Sequence, residues 1–295
     1  MSNGKKGAVG IVGLGIMGGS FARNLAAAGW QVKGFDIDPA RCAELREVCV
    51  EIAPDVSAMA QSVPTIITSL PSPAALEQVA REIAAFKAKK LIVVEMSTFA
   101  IEDKTKAEKI LAEAGHVLLD CPVSGTGAQA KLKDLVIYAS GEREAYDRAA
   151  PVFRGFARAS HYLGAFGNGS KMKFVANLLV AVHNVASAEA MVLGMKAGLD
   201  PAAIVEVIAS GAGNSRVFEL RAPLMARGDY APTMKIDIWQ KDMAIIAEFA
   251  KSLGVPVPTF AASAPIYDAA QAAGFGGEDT AAVAKVLAAR AKPAH

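Results

Sequence analysis

The run Val9-Gly10-Ile11-Val12-Gly13-Leu14-Gly15-Ile16-Met17-Gly18-Gly19-Ser20-Phe21 is an apolar stretch that breaks into glycines and resumes as a helical pattern. Gly13, Gly15 and Gly18 stand at G-x-G-x-x-G spacing ahead of the amphipathic Phe21-Ala22-Arg23-Asn24-Leu25. Between a strand and a helix, the first glycine permits a tight turn. The second lets backbone approach a pyrophosphate, and the third lets the helix pack closely on its strand. The helix N-terminus then offers unpaired N–H groups and a positive dipole end to the phosphates. Leu14, Ile16 and Met17 sit between the glycines and share the expected contact with a dinucleotide. A P-loop is excluded, because no Gly-Lys-Ser/Thr follows.

A second apolar run, Gln31–Phe35, ends at Asp36. A carboxylate there accepts hydrogen bonds from ribose hydroxyls and repels a 2′-phosphate. No arginine follows at Ile37 or Asp38, Arg41 being the nearest, so NAD is expected rather than NADP. Asp36 could instead cap a helix starting near Pro39, a role equally open to Asp38.

Short apolar runs then alternate with helical stretches as far as about residue 165, the pattern of a mostly parallel, doubly wound α/β sheet. Strands are predicted at Ala8–Val12, Gln31–Phe35, Thr65–Thr68, Leu91–Glu95, His116–Asp120 and Leu135–Ala139. Helices are predicted at Gly18–Ala28, Pro39–Val48, Ala74–Phe86, Ile101–Ala114 and Glu142–Phe153. The third and fourth strands lead into Ser69-Leu70-Pro71 and Met96-Ser97-Thr98, at the carboxyl ends where such sheets bind ligands. From Ser170 onward helix signals dominate and no strand is evident. A long helix from Ser170 to Ala197 would reach about 40 Å. Its Val, Leu, Ala and Met content predicts burial nearly all round, in a helical domain or a subunit interface. Asn177, His183, Asn184 and Glu189 interrupt it and argue against a membrane span. Further helices are expected at Pro201–Ser210, Ile236–Leu253, Pro258–Ala273 and Asp279–Ala291. The organisation is a Rossmann domain over 1–167 and an all-α domain over 168–295, built on a long central helix.

Composition limits the partners. The chain is 53% hydrophobic and 20% charged with a net charge of +2, which fits a compact protein and gives no support for nucleic-acid or membrane-surface binding. Cys42, Cys49 and Cys121 form no C-x-x-C, and the four histidines are scattered, so neither a disulfide framework nor a metal site is expected. No secretory segment precedes the first strand, and the expected location is the cytoplasm.

Four segments occur in a telling order: Gly13-Leu14-Gly15-Ile16-Met17-Gly18, Asp120-Cys121-Pro122-Val123-Ser124-Gly125, Gly167-Asn168-Gly169-Ser170-Lys171-Met172-Lys173 with Asn177, and Lys241-Asp242. With them the chain resembles the β-hydroxyacid dehydrogenase family, which includes 3-hydroxyisobutyrate, L-threonate and tartronate-semialdehyde enzymes, over essentially its whole length. The resemblance implies a homodimer or homotetramer acting on a small carboxylic acid. It implies that Lys173 is the catalytic lysine with Asn177 beside it. Ser124 and Gly125, with Thr126 next to them, would hold the substrate carboxylate, and Thr98 and Lys241 would lie near the cofactor; Leu70 and Pro71 are cofactor candidates from their place at a strand end. Thr126 stands where the family has glycine, and Thr98 lacks the proline often found nearby.

The chemistry agrees with those residue types. Oxidising a hydroxyl needs a hydride acceptor and a base for the hydroxyl proton. Lys173 falls in the first turn of the long helix, where the positive helix end favours loss of its proton. Asn177, four residues on, shares its face. A solvated surface lysine is the ordinary alternative, and Lys171 fits that description better. Arg216, in the segment Gly213-Asn214-Ser215-Arg216, is read as a loop residue that forms a surface salt bridge or grips a second anionic group. His183 and Trp239 are read as packing residues, and Lys241-Asp242 by itself as a surface pair. The leading expectation is an NAD-dependent dehydrogenase of a small β-hydroxy acid resembling 3-hydroxyisobutyrate, threonate or glycerate. The alternatives are an NAD(P)H-dependent reductase of a short semialdehyde acid and a non-catalytic dinucleotide-binding sensor or scaffold.

Overall fold

A computed structural model describes residues 6–87 and 89–291. Close contacts divide the chain into two compact units, one ending at Lys173 and the other starting at Phe174. The first unit runs β1 (Ala8–Val12), α1 (Ile16–Ala27), β2 (Gln31–Phe35), α2 (Pro39–Arg46), β3 (Glu51–Ile52), α3 (Val56–Ser62) and β4 (Thr65–Thr68). It continues through α4 (Pro73–Ala84), β5 (Ile92–Glu95), α5 (Ile101–Glu113), β6 (Val117–Asp120), β7 (Val123–Ser124), α6 (Gly127–Lys131), β8 (Val136–Ala139), α7 (Arg143–Phe153) and β9 (Ala159–Tyr162). Strands β1 to β6 form one parallel sheet in the order β3-β2-β1-β4-β5-β6. The order reverses between β1 and β4, which creates a crevice at the carboxyl ends of those strands.

Helices cover both faces because the strands are apolar at successive positions. Ile67, Ile92 and Val94 join Phe21 and Leu25 in one core, whereas Ile66 and Val93 join Met59, Leu76 and Leu111 in the other. Local chemistry starts the helices. Asp38 accepts from the Ala40 N–H ahead of Pro39, and Ser72 accepts from the Ala75 N–H ahead of Pro73.

Three short strands and two short helices lie outside the sequence expectation. Residues Glu51–Ile52 add an edge to the main sheet, and Val123–Ser124 and Ala159–Tyr162 flank β8 in a second, three-stranded sheet. In that sheet β7 runs antiparallel to β8 while β9 runs parallel to it. Two-residue strands and helices as short as Gly127–Lys131 carry too little periodicity to be read from sequence.

The helix α8 (Asn168–Lys196) starts at the end of the first unit and leads into the second. The second unit adds α9 (Pro201–Ala209), α10 (Arg216–Arg227), α11 (Ile236–Ser252), α12 (Pro258–Ala270) and α13 (Val283–Arg290). Helix α10 corrects the reading of Arg216 as a loop residue: Ser215 caps the helix through the Phe218 N–H, and left-handed Gly228 closes it. Pro223, inside the helix, obscures the pattern.

Within the single chain α8 is not covered all round, since Met172, Val175, Leu179 and Leu193 are 41%, 55%, 49% and 73% exposed; burial of those residues would require a subunit interface. It is the one helix among the described residues long and apolar enough to cross a membrane. Its polar residues nevertheless bond within the helical unit: Asn184 donates to the Tyr267 hydroxyl and the Thr280 carbonyl, at 3.0 and 2.9 Å.

Candidate active site

The glycine turn separates what the protein needs from what it leaves open. Gly13 has φ +89°, and a Cβ there would overlap the Ser69 carbonyl oxygen. A Cβ at Gly18 would overlap the Gly13 carbonyl. Both glycines are therefore required by the chain's own packing. Gly15 is different: a Cβ there would meet nothing nearer than Arg41 Nη1, at 3.6 Å. Gly15 is also the residue that precedes α1, so no side chain caps the first-turn N–H groups. Open space in front of uncapped amides suits an anionic ligand.

Asp36 is tied to this turn. Its carboxylate accepts from the Leu14 N–H at 2.7 Å and the Asp38 N–H at 2.9 Å, while Arg41 lies 3.3 Å away. A carboxylate has about four acceptor sites, so capacity remains for ribose hydroxyls. Helix α2 is capped by Asp38, which leaves Asp36 without that role. Two loops end beside the same crevice. The Leu70 N–H donates to Ser97 Oγ at 2.9 Å, joining the loop after β4 to the loop after β5. Leu70 and Thr98 are half-buried and Pro71 is exposed. These groups, with Ile16 and Met17, could hold a dinucleotide.

Ser124 lies in β7, and Gly125 turns the chain with φ +128°. Thr126 precedes α6, its N–H donating to the Gln129 side chain at 2.9 Å. Gly127 packs directly on Ile16 of the glycine turn, and Asn24 of α1 donates to the Ala130 carbonyl at 2.7 Å. The Ser124–Gly127 segment thus sits against the dinucleotide turn.

Lys173 is in the first turn of α8 and only 8% exposed, so its side chain is not the solvated one that Lys171 presents. The start of this helix is anchored on β6. Asp120 accepts from the Ser170 N–H at 2.7 Å and from Ser170 Oγ at 2.8 Å. Lys104 of α5 lies 2.8 Å from Asp120 and 2.6 Å from Glu95, and all three side chains are essentially inaccessible. Burial works against the charge on Lys104, but Asp120 and Glu95 outweigh it and raise its pKa. Neighbouring Cys121 is buried beside Asp120, and both effects hold its thiol protonated. The sequence reading gave no role to Glu95, Lys104 or Ser170, and singled out Asp120 only as the start of a motif. Acidic residues ending two apolar strands were the available signal.

In the second unit, Asn177 is 4% exposed and donates to Asp242 at 3.0 Å. Asp242 is buried, so Lys241-Asp242 is not simply a surface pair; Lys241, 3.4 Å from the carboxylate, is the exposed partner. Arg216 pairs with Glu219 at 2.9 Å on the surface. Trp239 is buried against Tyr267, whereas His183 lines a cavity of about 400 Å³ with Ser187 and Phe218. No group of three or more metal-ligating side chains occurs among the described residues.

Comparison with known proteins agrees with this geometry. Residues 8–164 match the family model described as the NAD-binding domain of 6-phosphogluconate dehydrogenase. Residues 167–287 match that described as NAD-binding of NADP-dependent 3-hydroxyisobutyrate dehydrogenase. The chain is 36% identical to an L-threonate dehydrogenase from Cupriavidus necator over 283 residues, 95% of each protein. It is 33% identical to the L-threonate dehydrogenase of Escherichia coli over 292 residues, 97% of each. A crystal structure of 3-hydroxyisobutyrate dehydrogenase from Salmonella typhimurium superposes with a TM-score of 0.84 at 32% identity, covering 95% of this chain and all of that one. With a switch-point crevice, a glycine left open to a ligand and relatives matched over nearly their whole length, this chain belongs to the β-hydroxyacid dehydrogenase family and is an NAD-dependent enzyme of that family.

Proposed function

We propose that the enzyme oxidises a short polyhydroxy acid of the L-threonate type, with Lys173 as the base for the hydroxyl proton and as the acid in the reverse direction. The observation that carries this reading is a lysine kept 8% exposed in the first turn of a helix anchored to the sheet. Burial and the positive helix end both favour the neutral amine, the form that can accept a proton. Asn177, one turn on, has its amide held by Asp242 and presents a neutral polar group on the same helix face. NAD, when bound, supplies the hydride acceptor. Gly13, Leu14, Gly15, Ile16, Met17 and Gly18 hold the pyrophosphate, and Asp36 holds the ribose. Leu70, Pro71, Thr98 and Lys241 are assigned to the cofactor as well. Ser124, Gly125 and Thr126 are assigned to the substrate carboxylate, and Lys173 and Asn177 to the reacting hydroxyl. The names of the relatives support threonate as the first acid to test.

The division falls at 1–167, the dinucleotide-binding domain, which also carries the carboxylate-binding segment, and 168–295, the helical domain that supplies Asn177 and Lys241 and the assembly surface. The assembly is a homodimer or homotetramer. The apolar residues left exposed on α8 recur at spacings of three and four through Met172, Val175 and Leu179, a stripe suited to a second copy of the chain. Cys42, Cys49 and Cys121 are all free thiols, which supports a reducing, cytoplasmic setting.

A panel of three- and four-carbon hydroxy acids with NAD or NADP, followed by cofactor absorbance, tests the assignment. Lys173→Ala should lower kcat by about a thousandfold or more while NAD binding persists. Full turnover in that variant removes Lys173 from the mechanism. Light scattering of the purified protein tests the assembly, and a monomer at micromolar concentration rejects it.

A further inference from the structure

We propose that Lys104, through Glu95 and Asp120, is a positioning residue for the reaction: it locks the first turn of α8, which carries Lys173, to the loop after β5, which carries Ser97 and Thr98. The proposal rests on the reading of Lys173 as the proton-transfer group.

Hydrogen bonds and one buried ion pair form a continuous chain. The Leu70 N–H donates to Ser97 Oγ at 2.9 Å, and the Ser97 N–H donates to Glu95 Oε1 at 2.8 Å. Glu95 Oε2 is 2.6 Å from Lys104 Nζ, which donates to Asp120 Oδ1 at 2.8 Å. Asp120 in turn takes both the backbone and the hydroxyl of Ser170. A side branch adds Ser140, whose hydroxyl donates to Asp120 and accepts from the Gly169 N–H at 2.9 Å. Helix and sheet approach so closely here that a Cβ on Gly169 would overlap the carbonyl oxygens of Tyr138 and Asp120.

Charge balance shows why the helix belongs to the cluster. One lysine against two carboxylates leaves a net charge of −1, in a place with no solvent. Buried ions are costly unless paired and fully hydrogen-bonded. The remaining positive partner is the start of α8, where the Ser170 N–H and the positive end of the helix dipole meet Asp120. A cluster needed only for packing would be served as well by apolar side chains. This one is complete only when the helix is docked with Ser170 on the carboxylate. Lys173 lies three residues further, on the same face. The cluster therefore sets the height and rotation of the lysine relative to the strand ends. Hydride and proton transfer tolerate little error there, since a misplacement of about 1 Å can cost about a hundredfold in rate.

The test uses two variants that leave the fold its main supports. Ser170→Ala removes one donor from Asp120, and Glu95→Gln leaves a neutral Lys104–Asp120 pair. Both are assayed with NAD and L-threonate, or with the best acid of the panel above, beside Lys104→Met. Each mild variant should lower kcat about tenfold, with KM for the acid and Kd for NAD within about twofold of the parent. Because both act through one cluster, the double variant should lose little more than the worse single one, whereas independent defects would multiply. Lys104→Met, where it folds by circular dichroism, should lose about a hundredfold in kcat. Parental kcat in folded Ser170→Ala and Glu95→Gln overturns the proposal, as does a multiplicative double variant. Lys173→Ala separates the two readings. If it alone is inactive, only the positioning role fails; if it is active, the proton-transfer reading itself fails.

Discussion

Asp120 in the first unit and Asp279 in the second are both fully buried carboxylates paired with a buried cation, yet they are finished in different ways. Asp279 faces Arg221 at 2.7 Å, one charge against one. Its other donors are the Thr233 N–H and hydroxyl and the N–H groups of Met234 and Ala281. It closes the turn ahead of α11 onto α10 and carries none of the candidate catalytic groups. Asp120 shares its cation with Glu95 and is completed by the start of α8, the helix that holds Lys173. A neutral pair finished by its neighbouring turn holds a fold together. A cluster left one charge short holds a second element in place, and so can govern where a reactive group stands.

Arg221→Met offers the largest test of that contrast. It strands the Asp279 carboxylate, so denaturant titration should show a loss of about 3–5 kcal/mol. The kcat per folded molecule should match the parent, and a drop at full folding would erase the distinction from the Lys104 cluster.

The glycines sharpen the comparison on a smaller scale. Gly18→Ala forces a methyl group onto the Gly13 carbonyl and should cost about 1–3 kcal/mol. Gly15→Ala meets open space and should change stability by less than about 0.5 kcal/mol. It should nonetheless weaken NAD binding about tenfold, read by fluorescence titration. Equal effects on stability would mean that Gly15, too, serves only packing.

The smallest effect is in the pH dependence. Lys104 has a folded pKa above its ordinary value, because its two carboxylates outweigh the penalty of burial. A group raised in this way contributes its full stability below the ordinary lysine range and loses it only as pH climbs through the folded value. The stability gap between the parent and Lys104→Met should therefore stay flat through neutral and mildly alkaline pH and narrow only in strong alkali. Urea midpoints across pH measure it, and a gap that closed near neutrality would contradict the pairing.

The parts of this molecule that sequence made legible are those whose cause is local. The glycine spacing, the strand ending at Asp36 and the Asp38-Pro39 helix start all depend on neighbours within a few residues. The coverage of α8 was not legible, because composition reports how apolar a helix is and its partners decide how much of that surface the chain itself covers. Asp242 looked like a surface residue because its partner, Asn177, lies 65 positions away in the chain. Arg216 looked like a loop residue because Pro223 hid the helix that follows it.

Sequence alone determined the doubly wound sheet, the all-helical second half, the dinucleotide turn and the family, because hydrophobic periodicity and glycine spacing act at short range. Only the tertiary structure decided which carboxylates share Lys104, which oxygen receives the Ser170 amide and which glycine faces empty space. Those outcomes depend on strand ends and a helix start separated by dozens of residues, brought into a solvent-free interior where every charge must find a partner.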